Sequence, residues 1–256
     1  MLNTNRIKFL LNLLFVLFFL IIVDRLAGTQ EKLGYGLLSI INSYINWFKN
    51  NFILDLIFTL LRVFCGFIIA SIFGILIGLF TGRYVKLLEG VIHILNYLRA
   101  ITPVALAPFF LVFFGISEIS KILLVAWGAF FPIWVNSYLS IIGLSEDMKD
   151  SAKLQGLSKF NLFRHFYLPA TISGAYPGAR IAIGISFILV FISETLGADY
   201  GIGYQLKLAY DTLQINRMTA ALLLLGALGL LADKLFVFIS NNLAPWLKYE
   251  RNENYG

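Results

Sequence analysis

Apolar residues along this chain gather in long runs, and polar residues are confined to the gaps between them. The first run, Phe9 to Val23, follows Arg6 and Lys8. Its 15 residues resemble a signal-peptide core. No A-x-A-like cleavage site follows, because the chain continues Asp24-Arg25-Leu26-Ala27, so the run is read as an uncleaved first helix. Residues 24–57 are mixed, with Trp47 and Lys49 on an amphipathic stretch suited to a membrane interface. The second run, Thr59 to Thr81, is long enough to cross a bilayer, for which about 20 residues suffice. Small residues recur along it at every fourth position: Gly66, Ala70, Gly74, Gly78 and Gly82. That spacing puts them on one helix face and predicts close approach by another helix.

The third run is interrupted. Leu87 to Leu98 carries Glu89, His93 and Asn96, and Arg99, Pro103 and Pro108 precede Phe109 to Gly115. Proline frees backbone groups that must find partners in protein or water, which predicts a broken helix beside a cavity. A simple kink is the plainer alternative. The fourth span covers Ile119 to Ile142 and includes Trp127 and Pro132. The fifth covers Ile172 to Leu196 and carries a second small-residue ladder, Gly174, Gly178, Ala182 and Ser186. The sixth covers Met218 to Ile239, with Asp233 and Lys234 placed at the interface, where a lysine can snorkel. The pattern predicts an all-α membrane protein with six transmembrane helices. One six-span unit with two ladders and no second half also points to a dimer.

Between spans four and five lies the one strongly polar stretch, Ser145 to His165, followed by Phe166-Tyr167-Leu168-Pro169-Ala170. Ser145 can cap a helix whose first turn holds Glu146 and Asp147, where acidic groups suit the helix dipole. Met148, Ala152 and Leu154 make a partial apolar stripe, and Gly156 then breaks the helix. Ser158 can cap a second short helix carrying Phe160, Phe163 and Phe166, which Pro169 closes. A compact helix–turn–helix with exposed apolar residues is a docking module.

Composition narrows the class. Of the 256 residues 59% are hydrophobic and only 13% charged, about half the charged share of an ordinary soluble domain. A soluble globule could not cover its surface with so few charges. Cys65 is the lone cysteine and reads as a small packing residue. His93 and His165 have no carboxylate or cysteine at ligand spacing, so no metal site and no cofactor site are expected. The net charge of +6 reflects basic loops rather than a nucleic-acid partner. With the N-terminus inside, Arg6, Lys8, Arg83, Lys86, Lys149, Lys153, Lys159, Arg164, Lys248 and Arg251 are cytoplasmic. Only Arg25, Lys32, Lys49, Lys121, Lys207 and Arg217 fall outside. The bias places both termini in the cytoplasm of a multi-pass protein of the cell membrane.

The polar loop carries a family resemblance. Asp150-Ser151-Ala152, three residues, Gly156, nine residues, then Phe166-Tyr167-Leu168-Pro169 resembles the EAA loop of ABC importer permeases, E-A-A-x3-G-x9-I-x-L-P. Asp, Ser and Phe replace Glu, the first Ala and Ile; the second Ala, the Gly and the Leu-Pro match in register. Leu98-Arg99-Ala100-Ile101-Thr102-Pro103, continuing to Phe113-Phe114-Gly115-Ile116, is similar to the LRPIPP…WFGIG stretch of the sulfonate, taurine and nitrate branch. The run from Glu194 to Tyr204, ETLGADYGIGY, resembles that branch's E-x-x-G-A-x-x-G-L-G-[YF]. Leu231 to Leu235 and Pro245-Trp246 resemble its C-terminal LDRL…PW.

The resemblance implies the fold of a type I ABC importer permease. Residues 1–57 would be an N-terminal helix and an interfacial segment, and 58–245 the permease core, with the coupling loop at about 145–171. Residues 246–256 would be a cytoplasmic tail. It implies a separate ATP-binding subunit docked on the loop, an extracytoplasmic solute-binding protein and a second copy of the chain. Asp150, Ser151, Ala152, Gly156, Phe166, Leu168 and Pro169 would form the coupling surface. The solute would be a small anion of the sulfonate, taurine or nitrate kind. The chain has no Gly-Lys dipeptide and hence no phosphate loop, so it is not itself expected to be an enzyme. Arg99, Pro103, Pro108 and Glu194 are candidates for a pore or gate; Glu194 could equally cap the loop after span five, and Arg99 could meet a lipid headgroup. A membrane-embedded enzyme would need clustered His, Asp or Glu, and a secondary transporter often shows repeated halves; neither feature is present.

Overall fold

The computed structural model describes residues 42–45, 47, 52–154 and 158–243. The first predicted span, Phe9–Val23, the tail 246–256 and Gly156 lie outside the described residues. Among the described residues nine α-helices follow from Phe52: α1 (Phe52–Arg83), α2 (Glu89–Ala100), α3 (Pro103–Phe114), α4 (Glu118–Ile142), α5 (Glu146–Leu154), α6 (Lys159–Leu162), α7 (Leu168–Gly197), α8 (Ile202–Asp211) and α9 (Ile215–Leu243). A π-helical segment, Phe163–Tyr167, joins α6 to α7. Among the described residues four helices are long and apolar enough to cross a membrane: α1, α4, the run from Phe160 to Gly197, and α9. The pair α2 and α3, bent by 96° at Ile101-Thr102, makes a fifth if it is one broken span.

The small-residue ladders explain the packing. α4 runs between α1 and α7. A β-carbon on Gly66, Gly74 or Gly82 would stand 2.6–2.8 Å from Val125, Ile133 or Ile141 of α4, so only a bare backbone allows this approach. On the other side, Gly174 faces Ser140, and Gly178 faces the Pro132 carbonyl and Asn136. Both ladders are therefore consumed inside one chain, which removes the expectation that they pair two copies. Between them lie Ala70, Ala129, Ile133, Ala175, Ala179 and Ala182, a core of small side chains that keeps the three helices close. Val63, Val125, Ile183, Phe187, Leu189 and Val190 continue it.

Several expectations shift. Span two starts at Phe52, because the early polar residues Asp55 and Thr59 are buried and bonded within the protein. Trp47 is not at a lipid interface: it is buried against Ile202 and Ala221 and donates to Asp55 Oδ2 at 2.8 Å. Cys65 lies on the exposed side of α1. Lys121 is not an external loop residue but is buried in α4, 2.8 Å from Glu118. Asp233 lies well inside α9, paired with Arg180 of α7, rather than at its end.

Pro169 does not close the loop's second helix. It stands in the first turn of α7, and the chain stays helical through it. Proline cannot donate to the carbonyl four residues back and crowds it. The π segment widens the turn at this point, with the Leu168 N–H donating to the Phe163 carbonyl five residues back.

Candidate functional site

The two polar ends of the bundle are built differently. At one end, the predicted caps form: the Met148 N–H donates to Ser145 Oγ at 3.3 Å and the Asn161 N–H to Ser158 Oγ at 3.2 Å. They start the two short helices α5 and α6. Each helix exposes a large apolar side chain: Leu154 is 88% exposed and Phe160 66%. Asp150 is exposed, whereas Phe166, Leu168 and Pro169 are half-buried where the π segment enters α7. Backbone of Ser151 and Ala152 is helical within α5. The buried Tyr167 ring lies under the Arg83 guanidinium at 4.4 Å, and Phe80 tilts against Phe163 at 6.5 Å. These contacts staple the loop's exit to the end of α1.

At the other end lies a buried polar network. Arg62 of α1 donates from Nε and Nη2 to Glu118 at 2.6 and 2.7 Å, and from Nη1 to Glu194 and the Tyr200 carbonyl, both at 2.8 Å. Arg62 is 2% exposed and Glu194 not at all. Glu194 also accepts from the Thr59 hydroxyl at 2.8 Å and from the Gly203 N–H at 2.8 Å. The Gly201 N–H donates to Asp55 and the Ile202 N–H to Thr59. Three backbone donors at the start of α8, which no turn of helix can satisfy, thus find oxygens on α1 and α7. Gly201 is required there: its φ is +133°, and a β-carbon would run into the Glu194 carboxylate. Asp55 further accepts from Trp47 and Gln205, and Gln205 from Arg217 of α9.

The structure brings Glu194 into this network as a bonded strut, with its side chain wholly enclosed. Arg99 is exposed in the last turn of α2, where a cation suits the dipole. Pro103 opens α3 after the bend, its fixed φ suiting a first turn, and Pro108 sits exposed within α3. Arg99, Pro103 and Pro108 belong to the broken span of α2 and α3, and Glu194 to the buried network. The sequence reading missed Asp55, Arg62 and Glu118, as well as Arg180. An available signal was overlooked: an arginine inside an apolar run must find a partner at membrane depth.

Comparison with known proteins agrees with this architecture. Residues 74–249 match the family model described as binding-protein-dependent transport system inner membrane component. An aliphatic sulfonates transport permease of Bacillus subtilis is 28% identical over 185 residues, 72% of this chain and 67% of that one. A nitrate import permease of Leptolyngbya laminosa is 30% identical over 187 residues, 73% of this chain and 67% of that one. A bicarbonate transport system permease of Synechococcus elongatus is 30% identical over 182 residues, 71% and 66% respectively. The fold is similar to a chain of the inward-facing MetNI methionine ABC transporter, with a TM-score of 0.53 at 24% identity, covering 75% of this chain and 92% of that one. With the apolar spans, the ladder-packed core and the polar loop before α7, these matches lead to one conclusion: the chain belongs to the binding-protein-dependent transport inner membrane component family and is a permease component of an ABC importer.

Proposed function

We propose that this permease pairs with a second copy of itself to enclose the path of a small anion, sulfonate-like or nitrate-like. An extracytoplasmic binding protein delivers the solute, and ATP-binding subunits dock on the loop at 145–171. Both termini face the cytoplasm. Asp150, Ser151, Ala152, Gly156, Phe166, Leu168 and Pro169 form or brace the docking surface. Arg99, Pro103 and Pro108 shape the broken span beside the path, and Glu194 holds the far end as a latch. The observation that carries this reading is the loop itself. It displays Leu154 and Phe160 to its surroundings, and it continues as helix through the π segment into spanning α7. Exposed apolar side chains on a polar loop suit a protein partner, and helical continuity suits transmission of movement.

The test is the double substitution Leu154→Asp and Phe160→Asp, in the transporter expressed with its ATP-binding subunit. Both positions are exposed, so insertion and folding should persist. Co-purification of the ATP-binding subunit and ATP-driven uptake should fall together at unchanged membrane level. Normal co-purification would refute the docking surface.

A further inference from the structure

A charged pair joins α7 to α9 away from the Arg62 network. Arg180 of α7 donates from Nε to Asp233 Oδ1 at 2.7 Å and from Nη2 to Oδ2 at 2.9 Å, a two-pronged fork between α7 and α9. At 1.5 Å per residue the pair lies roughly 15–18 Å from the loop-side ends of both helices and more than about 25 Å from their other ends. Centring a hydrocarbon slab of about 30 Å on these helices leaves it roughly 10 Å inside the slab. Yet the side chains are 50% and 31% exposed on this chain. Ionised groups at that depth face a bundle interior or a water-filled cavity, not lipid tails.

The surface beside the pair is hollow. A groove of about 470 Å³ runs between α7 and α9, lined by Arg180, Gly184, Phe187, Gly226, Gly229 and Asp233. A β-carbon on Gly184 or Gly226 would meet nothing within 4 Å. These glycines, unlike those facing α4, do not serve close helix packing in this chain. The volume falls in the range of small-molecule sites, and its polar groups converge at one point.

We propose that this groove lines the solute path, and that Arg180 receives the anionic group of the solute there while Asp233 serves as its resident counter-ion. The inference rests on the permease reading and adds a specificity residue to it. A guanidinium presents planar paired donors that suit sulfonate, nitrate or carboxylate oxygens. Asp233 keeps the empty groove neutral. It also competes for the guanidinium, so the passing anion is held weakly enough to leave, as conduction requires.

The test needs no knowledge of the solute. The whole transporter, with its ATP-binding subunit, is placed in membrane vesicles with Cys65→Ser and Gly184→Cys. The new thiol is treated with two small methanethiosulfonates, one bearing ethylsulfonate and one bearing ethyltrimethylammonium. Both should react, and the ratio of anionic to cationic rate should fall about tenfold with Arg180→Gln, because a charge lining a narrow groove changes local ion concentration by that order. Arg180→Lys should retain the ratio, and Asp233→Asn should raise it. A thiol that neither reagent reaches, as on a lipid-facing side or a sealed seam between copies, would overturn the inference. So would a ratio that Arg180→Gln leaves unchanged. Labelling does not depend on transport, and co-purification of the ATP-binding subunit from the same membranes tests the permease reading separately.

Discussion

Replacing Arg62 by methionine keeps an unbranched apolar stem and removes the side chain that ties α1 to α4, to α7 and to the Tyr200 carbonyl. Glu118, at 47% exposure, keeps Lys121 and water. Glu194 is fully buried and keeps only the Thr59 hydroxyl and the Gly203 N–H. Breaking a buried pair by deleting one partner costs about 3–5 kcal/mol, and the two surviving donors put the expected loss near about 3 kcal/mol. For a chain of this size each kcal/mol moves Tm by roughly 2–4 °C, so Arg62→Met should melt about 6–12 °C early. The assay is thermal unfolding of the detergent-solubilised transporter followed by gel filtration. Adding Glu194→Gln removes the orphaned charge. The double variant should then melt higher than the sum of the single losses predicts, with a coupling of about 2 kcal/mol. An Arg62→Met protein melting within about 2 °C of the parent, or a strictly additive double variant, would refute the idea that this network pins the three helices.

Gly74→Val should abolish the monodisperse gel-filtration peak, because its β-carbon would stand 2.8 Å from Ile133 Cγ2 and 3.2 Å from the Trp134 backbone nitrogen. Gly201→Ala should cost about 2 kcal/mol or more, from its positive φ and the collision with Glu194, read as a lowered Tm. Gly90→Ala in the first turn of α2, where the added methyl meets nothing, should instead raise Tm slightly, its backbone-entropy gain being at most about 1 kcal/mol. Gly156→Asp, at the glycine of the EAA-like motif, should reduce uptake and ATP-binding-subunit co-purification at unchanged membrane level; normal values of both would remove that motif from the coupling surface.

Periodicity alone located the four long apolar helices of the described region and the bent pair α2 and α3, because length and apolarity are what a bilayer selects. It also chose the packing faces correctly: glycine and alanine at fourfold spacing can mean little except a close neighbour, and α4 is that neighbour on both sides. The neighbour's identity was not legible, since a ladder does not name its partner, and the reading that it joins two copies followed from that gap. The caps at Ser145 and Ser158 were legible because capping is local chemistry. The buried network was not. Asp55, Arg62, Glu118 and Glu194 are separated by up to 139 residues, and each looks like an isolated polar residue until the fold assembles them. Pro169 misled for a different reason. The rule that proline ends a helix assumes an α-turn behind it, and here a π-turn absorbs the ring.

The unequal treatment of the two ends of α7 bears on how a movement would travel. Near one end Glu194 is bonded to α1 and to the start of α8 with no exposed atom, whereas the other end runs into a loop of exposed, short helices. If α4, packed along it at Gly174 and Gly178, moves with it, a rigid α7 fixed at Glu194 and pulled at Leu168 would be a lever about 39 Å long. Arg180 stands about 21 Å from the fixed point, so it would move by roughly half of any displacement of the loop. Asp233 belongs to α9, which makes no part of the loop. A pull of about 4 Å would therefore shift Arg180 by about 2 Å against a counter-ion now 2.7 Å away, enough to open the fork, since hydrogen bonds fail beyond about 3.5 Å. On the same geometry Arg62→Met should act on a pair that Arg62 does not touch: without the fixed point, a pull on the loop would translate α7 instead of rotating it, and the pair would no longer respond in proportion.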